Sequence, residues 1–298
     1  MEKALLIINP SSGGEKAKDY EKQAIEKLEE LFDKVEVKYT EKAGDARDFA
    51  KNAAREKYNS VFVMGGDGTV NEGISGLAEE DYRPDFGFFP LGTVNDLARA
   101  LKISLEPEEA INELNINRMK KIDIGKINDS YFMNVVAIGV IPEAINDVEV
   151  EDKTKFGKLA YFISGFKSIK DAKAFLFELE IDNEKIDISS STILIGLTNS
   201  IGGFESILPE AEVDDGKLHV IYLKDKRLID SIKAVPNLIT GVSDSNDNVG
   251  YRTCEEINIK LLENETLSVN ADGDEGDKLP VSIKVLPSHI SVYCGIDN

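Results

Sequence analysis

The chain has 298 residues, of which 42% are apolar and 30% charged, with a formal net charge of −20 at pH 7. This composition predicts a globular protein of one large or two ordinary domains, and the negative charge argues against non-specific nucleic-acid binding and broad adhesion to anionic lipid. No apolar run approaches the roughly 20 residues of a membrane-spanning helix, and the two cysteines, Cys254 and Cys294, predict reduced cytosolic thiols.

Strands and helices alternate along the first 125 or so residues. Such alternation is typical of a parallel α/β sheet, whose ligands bind at the carboxyl ends of the strands. Asn9, Thr40, Asp67 and the pair Gly92-Thr93 follow such ends, so we expect them to form a single site. The predicted strands are Ala4–Asn9, Val35–Thr40, Ser60–Met64 and Phe86–Phe89, and the predicted helices are Lys16–Phe32, a helix opening at Gly44-Asp45, Thr69–Glu79 and Leu97–Leu101.

The segment Gly65-Gly66-Asp67-Gly68-Thr69 joins the third of these strands to a helix. Backbone N–H groups converge on phosphate in this geometry, and glycine permits both close approach and positive φ. No lysine follows, as it would in a Gly-x-x-x-x-Gly-Lys loop. A carboxylate beside a polyphosphate requires a cation or a water between them, so the segment predicts a magnesium nucleotide held mainly by backbone.

From about Lys120 the sequence becomes rich in strands and predicts a second, mainly antiparallel β domain after a linker near 118–128. Two helical patches, Gly157–Ala172 and Leu228–Thr240, interrupt the strands. The predicted strands are Ile122–Ile127, Tyr131–Ala137, Phe175–Ile181, Thr192–Asn199, Lys217–Leu223, Ile257–Leu262, Thr266–Asn270 and Val281–Leu286.

Several polar segments have a structural interpretation beside the functional one. Asn270–Asp274 is typical of an acidic hairpin turn, Leu208–Leu218 of another acidic turn, and Asn95-Asp96 of a helix cap. His219 and His289 lie on strand-like runs without metal-ligand spacing, so we assign neither a catalytic role.

Five motifs, taken in order, resemble the bacterial diacylglycerol kinase and lipid kinase family, which is related to sphingosine and ceramide kinases. The resemblance covers essentially the whole chain. It implies a nucleotide-binding α/β domain at 1–125, to which 287–298 return, a β-sandwich lipid-substrate domain at 126–286, and an active site in the cleft between them. The motifs are Asn9-Pro10-x-Ser12-Gly13; Gly65-Gly66-Asp67-Gly68-Thr69-x-Asn71-Glu72; Pro90-Leu91-Gly92-Thr93-x-Asn95-Asp96-x-Ala98-Arg99; Pro209-x-Ala211 with Asp215-Gly216-x-Leu218; and Asp272-Gly273.

The resemblance also implies roles for particular residues. Asp67 and Asp96 are expected to organise magnesium through water, and Asp272 to act as general base toward the lipid hydroxyl. Asp215 and the backbone carbonyl of Lys217 are expected to form a structural magnesium site. One position departs from the family, because Asp274 stands where glutamate is common. The expected nucleotide contacts are Asn9, Thr40, Gly65, Gly66, Asp67, Gly68, Thr69, Gly92, Thr93 and Asn95.

The resemblance implies an ATP- and Mg2+-dependent lipid kinase, with diacylglycerol as the expected acceptor and phosphatidic acid as the product. The alternatives are a soluble kinase of the NAD kinase type, whose Gly-Ser-Thr-Ala-Tyr motif is missing here, a phosphofructokinase, and a non-catalytic nucleotide sensor. We expect a cytoplasmic protein that meets its lipid at the membrane surface, without a transmembrane segment or a nucleic-acid partner, and a homodimer as the default assembly. The lysines 153, 155, 158 and 167 predict either a membrane-facing surface or an ordinary solvated helix face.

Overall fold

The computed structural model describes residues 1–14, 17–139, 173–203, 208, 210–224 and 249–296. The chain divides into two compact units: Met1–Asp123 with Ser288–Asn298, and Ile124–Pro287. Two of the predicted helices, Gly157–Ala172 and Leu228–Thr240, lie outside the described residues, as do the four lysines considered for membrane contact.

The first unit is an α/β domain with a parallel sheet, in which β2, β1, β3 and β4 are neighbours in that order. Apolar side chains of β1 and β3 pack against α1, and α2 packs closely on α3. A Cβ at Gly76 of α3 would lie 2.2 Å from the carbonyl oxygen of Arg47, so this approach requires glycine. The elements are β1 (Lys3–Ile8), α1 (Ala17–Leu31), β2 (Lys34–Tyr39), α2 (Asp45–Arg55), β3 (Ser60–Gly65), α3 (Asp67–Ala78), β4 (Asp85–Pro90), α4 (Asp96–Ala100) and α5 (Pro107–Asn112).

The second unit consists of antiparallel strands in two sheets that share one apolar core. The strands are β5 (Met119–Ile127), β6 (Ser130–Phe132), β7 (Val135–Gly139), β8 (Phe175–Ile181), β9 (Glu184–Ser190), β10 (Thr192–Gly196), β11 (Leu218–Leu223), β12 (Val249–Cys254), β13 (Glu256–Leu261), β14 (Ser268–Ala271), β15 (Asp274–Lys278) and β16 (Val281–Tyr293). One sheet contains β16-β13-β8-β9 and the other β12-β11-β10-β7-β14-β15. The chain enters this unit along β5 and leaves it along β16, whose end pairs with β4 in the first unit's sheet.

The predicted fold class, an α/β domain followed by a mainly antiparallel β-sandwich domain, is confirmed. Several element predictions are wrong. Helix α3 begins at Asp67, two residues before its predicted start, so Asp67 and Gly68 belong to its first turn. The strand predicted at Ile122–Ile127 begins three residues earlier, at Met119, and the boundary between the two units lies within it, inside the predicted linker region 118–128. The strand predicted at Tyr131–Ala137 is broken at Met133-Asn134 into β6 and β7.

Four short elements were not predicted, namely α5, β9, β12 and the exposed hairpin strand β15. Helix α5 has only six residues, too few for a helical period to be read. Strand β9 is at the edge of its sheet and carries charged residues between its apolar ones, and β12 contains a glycine that packs on Tyr222. Both strands therefore lack the apolar density that marks an interior strand. Among the helices described here, none combines the length and the hydropathy needed to span a membrane.

Candidate functional site

The carboxylate of Asp67 joins the end of β3 to the start of α4. Its Oδ2 accepts the backbone N–H of Asn95 at 3.1 Å, and its Oδ1 accepts that of Asp96 at 3.0 Å. The first N–H groups of a helix have no acceptor within the helix, so Asp67 caps α4 across the sheet. Asn95 takes the left-handed conformation, with φ at 54°, and its Nδ2 donates to the carbonyl oxygen of Gly92.

Glycines around Asp67 allow the two loops to touch. A Cβ at Gly65 would lie 2.7 Å from Thr69 Cβ, and one at Gly92 would lie 2.5 Å from Asn95 Oδ1 and 3.0 Å from Asp67 Oδ2. Gly65, Gly66 and Gly68 all have negative φ, so the expectation that this turn needs positive φ is wrong. Close approach requires glycine at Gly65 and Gly92, whereas a Cβ at Gly68 would meet nothing within 4 Å.

Asn9 fixes the loop after β1 against the same turn. Its N–H donates to the carbonyl oxygen of Met64, and its Nδ2 donates to Thr69 Oγ1 at 3.0 Å. The N–H of Gly66 donates to Ser12 Oγ at 3.3 Å. The ends of β1 and β3 are thereby held together beside the N-terminus of α3, as expected for polar residues that follow neighbouring parallel strands.

The loop after β2 is held at Thr40 by β1 and at the start of α2 by Glu72 of α3. Thr40 donates its N–H to the carbonyl oxygen of Ile8, and the Glu72 carboxylate accepts the N–H groups of Gly44 at 2.8 Å and Ala46 at 3.2 Å. Glu72 thus caps α2 from the neighbouring helix. Glu72 belongs to the glycine-turn motif quoted above, and nothing in that local sequence indicates its partners in the loop after β2.

This edge of the first unit has the chemistry of a nucleotide site. The first turn of α3 presents N–H groups without intrahelical acceptors, and open space surrounds Gly68. Asp67 is half-buried and Asp96 is 7% exposed, so two carboxylates lie at the same loop junction. Carboxylate oxygens are suitable partners for the hydration shell of Mg2+, and the donor set therefore fits a magnesium nucleotide.

Asp272 is held in one orientation by three backbone N–H groups of the second unit. Met133 N–H donates to Oδ2 at 2.7 Å, and the N–H groups of Asn134 and Val135 donate to Oδ1 at 2.9 Å each. Asp272 is 6% exposed. Hydrogen bonds from three N–H dipoles favour a carboxylate and fix its orientation.

The hairpin that carries Asp272 also explains the break between β6 and β7. Asp272 and Gly273 both have positive φ, at 50° and 94°, as the two-residue turn between β14 and β15 requires. The predicted hairpin at Asn270–Asp274 is therefore confirmed. Because Met133 and Asn134 turn their N–H groups to the carboxylate, they leave the strand ladder at that point.

Two amide groups beside this turn have unpaired polar atoms. Asn134 Oδ1 and Asn270 Nδ2 are buried and form no hydrogen bond within the part of the chain that the structure describes. Asn270 Oδ1, by contrast, accepts the N–H of Gly273 at 2.9 Å. The signal for Asn134 in the sequence was a lone amide in the otherwise apolar run of 131–137, which the strand assignment passed over.

Asp215 lies in a different polar network of the second unit. Its Oδ1 accepts the N–H of Lys217 at 2.9 Å, and its Oδ2 lies 2.8 Å from His219 Nε2, whose Nδ1 is 2.6 Å from Tyr251 Oη. Burial raises the pKa of the Asp215 carboxyl, but His219 together with the backbone N–H groups of Glu212 and Lys217 outweighs it and lowers that pKa overall. Sequence reasoning missed His219, because its partners come from a turn and a neighbouring strand.

The structure thus brings most of the predicted first-unit residues together at the first turn of α3. Asn9 is hydrogen-bonded to Thr69 of this turn, and Asn95 to Asp67. Thr93 is exposed at the rim of the loop after β4. Asp272 and Asp215 belong to the second unit, in separate hydrogen-bond networks. The described residues contain no group of three or more His, Cys, Asp or Glu side chains placed to hold a metal ion, and magnesium at Asp215 stays a prediction.

Cys254 is buried and Cys294 half-buried, and neither forms a disulfide. Burial raises the pKa of Cys254 to about 12, with a smaller contribution from the charge of Asp182. Such a thiol stays protonated at neutral pH and is unreactive. Cys254 therefore belongs to the core of the second unit, as its place in the shared apolar cluster indicates.

Comparison with known proteins identifies both parts of the chain. The family model of the diacylglycerol kinase catalytic domain matches residues 3–127, and that of the YegS C-terminal NAD kinase beta sandwich-like domain matches residues 134–294. A Streptococcus pneumoniae protein named "Putative lipid kinase" is 44% identical over 98% of both chains. A Staphylococcus aureus protein named "Diacylglycerol kinase" is 35% identical over 99% of this chain and 93% of its own.

Solved structures agree with the sequence relatives. The crystal structure of a Bacillus anthracis protein, described as "a putative diacylglycerol kinase", superposes with a TM-score of 0.88 at 28% identity. It covers 99% of this chain and 95% of its own. Family models, relatives and fold agree along the length of the chain, which confirms the predicted resemblance. This chain belongs to the diacylglycerol kinase catalytic-domain family, with the two-domain architecture of its lipid kinase-like members.

Proposed function

We propose that this chain transfers the γ-phosphate of ATP to the free hydroxyl of diacylglycerol and so produces phosphatidic acid. The observation that carries the proposal is the buried Asp272 carboxylate, fixed by three backbone N–H groups in a chain of this family. Phosphoryl transfer depends on positioning and on charge stabilisation more than on covalent help from the protein. A fixed carboxylate and a backbone cradle for phosphates are the two parts that such a reaction needs.

The proposed reaction assigns one proton step to Asp272. The lipid hydroxyl oxygen forms a bond to the γ-phosphorus, the bond from that phosphorus to the β–γ bridging oxygen breaks, and ADP leaves. Asp272 accepts the hydroxyl proton. The N-terminus of α3 and the glycines at 65, 66 and 92 bind the phosphates.

Magnesium, when bound, supplies positive charge that offsets the phosphates of the nucleotide. In the proposal Asp67 and Asp96 hold it through water, while Asp215 and the Lys217 carbonyl hold a second, structural ion. The proposal also assigns nucleotide binding to residues 1–125 with 287–298, and lipid binding to 126–286. Measured magnesium content of the wild type, Asp67→Ala and Asp215→Ala proteins would assign each ion to its carboxylate.

One other function has a specific observation in its favour. The second half of the chain matches a domain described as NAD kinase beta sandwich-like, so a soluble acceptor of the NAD type is the second candidate. The chain lacks the Gly-Ser-Thr-Ala-Tyr sequence expected of that class.

The experiment that tests the proposal is transfer of labelled γ-phosphate from ATP, with magnesium, to lipids in mixed micelles. NAD and fructose 6-phosphate serve as soluble acceptors. Label in diacylglycerol that disappears with Asp272→Ala supports both the reaction and the base. Label in another lipid alone would change the acceptor, and label in NAD would replace the proposal with the second candidate.

A further inference from the structure

The unpaired atoms Asn134 Oδ1 and Asn270 Nδ2 require a physical explanation. Asn134 is 3% exposed and Asn270 is 4% exposed, and neither atom has a hydrogen-bond partner among the described residues. Buried polar groups in folded proteins are nearly always hydrogen-bonded, because an unpaired one has lost its water without replacement. Two such atoms near one turn indicate groups that a ligand completes.

Both residues lie beside Asp272 in the fold, Asn134 through its backbone and Asn270 through the turn that carries Asp272. Asn134 donates its own N–H to Asp272 Oδ1 at 2.9 Å. Asn270 lies two residues before Asp272 on β14, and its Oδ1 accepts the N–H of Gly273. That bond fixes the orientation of the Asn270 amide, so its NH2 group remains as a donor. The turn therefore combines one unused acceptor and one unused donor with the proposed base.

We propose that Asn134 and Asn270 recognise the polar end of the lipid acceptor, an inference that rests on the lipid kinase function proposed above. A diacylglycerol has one hydroxyl, which donates a hydrogen bond, and two ester carbonyls, which only accept. Asn134 Oδ1 shares the single hydroxyl hydrogen with Asp272 in a three-centre hydrogen bond and so orients the attacking oxygen; the proton then passes to Asp272 as the bond to phosphorus forms. Asn270 Nδ2 donates to an ester carbonyl and sets the position of the glycerol backbone.

Thr192 supplies a matched control from the same sheet. Its Oγ1 is also buried and unpaired within the described residues, and Thr192 is 1% exposed. Thr192 pairs with Gly139, which lies four residues along β7 from Val135, one of the three N–H donors to Asp272. At 3.3 Å per residue, Thr192 is therefore about 13 Å along the strand from that donor. Thr192→Val removes the hydroxyl with almost no change in shape, and we expect its lipid kinase activity to equal that of the wild type.

The first test compares a diacylglycerol with the dialkylglycerol of the same chain length, in which ethers replace the esters and remove the carbonyls. We expect the wild type to prefer the diacyl lipid by about tenfold in kcat/KM, the value of one lost hydrogen bond. Asn270→Leu should reduce that preference to about one. The ratio is measured within a single preparation, so it does not depend on the fraction of folded enzyme.

The second test uses Asn134→Leu, which removes the proposed acceptor for the hydroxyl. Both lipids carry that hydroxyl, so kcat should fall about tenfold for each while the diacyl preference of the wild type is kept. The KM for ATP should not change. A purely structural effect would lower the activity of both variants toward both lipids. It would not change the diacyl preference only in Asn270→Leu and kcat only in Asn134→Leu.

An equal diacyl preference in the wild type and Asn270→Leu would overturn the role of Asn270. A rate for Asn134→Leu within about twofold of the wild type would overturn that of Asn134. Loss of activity in Thr192→Val equal to that of the other variants would show a general packing effect and also overturn the inference. If the wild type labels no glycerolipid at all, the proposed function itself fails, and this outcome is distinct from the others.

Discussion

The carboxylate of Asp67 accepts the backbone N–H of Asp96 at 3.0 Å, so one candidate magnesium-organising residue fixes the helix that carries the other. The same carboxylate accepts the N–H of Asn95. Asp67 therefore has a structural contribution and a proposed chemical one. Experiments on it have to separate these contributions.

Replacing Asp67 by alanine should weaken ATP binding and abolish its dependence on magnesium. The cap on α4 is also lost, at a cost of about 1–3 kcal/mol in the free energy of unfolding, because two N–H groups lose their acceptor. Titration of ATP with magnesium and with EDTA separates the two effects. Loss of the cap weakens both titrations, whereas loss of the cation site removes the difference between them. A difference as large as in the wild type would remove Asp67 from the magnesium site.

Gly68→Ala should stabilise the protein and weaken nucleotide binding. A Cβ at this position meets no protein atom within 4 Å, and alanine is a better helix former than glycine. The same Cβ would occupy the space in which the proposed phosphates approach the first turn of α3. Thermal unfolding of Gly68→Ala measures the expected gain in stability, and ATP titration of the same variant measures the expected loss of affinity.

Gly92→Ala is the contrasting variant. Its Cβ would lie 2.5 Å from Asn95 Oδ1, so both stability and ATP binding should fall. Unchanged ATP affinity in Gly68→Ala would show that the phosphates do not bind at the first turn of α3.

Asp272→Ala should lower kcat for lipid phosphorylation by about a hundredfold or more, the usual range for loss of a general base. The KM for ATP should stay near its wild-type value, because Asp272 belongs to the second unit and the nucleotide residues to the first. Asp272→Asn is the control for folding, since it keeps one oxygen to accept the N–H groups of Asn134 and Val135. Turnover within a few fold of the wild type in either variant would show that Asp272 is not the base.

The glycine turn and its position at a strand end could be predicted because each is local. A buried β-branched strand followed by glycines and a helical segment has few other structures. The partners of Asp67 could not be predicted in the same way. They lie 28 and 29 residues further along the chain, and they meet Asp67 only because β3 and β4 are neighbours in the sheet.

The second unit was harder to predict for the same reason. The run from Tyr131 to Ala137 reads as one strand, but Asp272 withdraws two N–H groups from its middle. That contact spans 139 residues, from Met133 to Asp272. The partners of His219, which are Asp215 and Tyr251, likewise could not be predicted, because Tyr251 lies on a neighbouring strand. Sequence periodicity describes faces of elements, whereas these networks depend on which elements become neighbours.

His289 should make the stability of the protein depend on pH below about 6.5, the ordinary pKa of histidine. Burial lowers its pKa, although the hydrogen bond from Nε2 to the carbonyl oxygen of Ala78, at 2.7 Å, opposes the shift. The unfolded chain therefore binds a proton at a higher pH than the folded chain. Stability is fully present above about pH 6.5 and falls as the pH decreases toward the lower folded pKa.

His289→Gln removes this titration and keeps a side-chain amide that can donate to Ala78. We expect its urea midpoint to change less than that of the wild type between about pH 7.5 and about pH 5. Every other titratable group is common to the two proteins, so the comparison isolates position 289. Parallel curves for the two proteins would mean that folding does not shift the titration of His289. A difference between the two urea midpoints that appears only at acid pH would instead assign this part of the acid sensitivity to His289, which joins β16 to the end of α3.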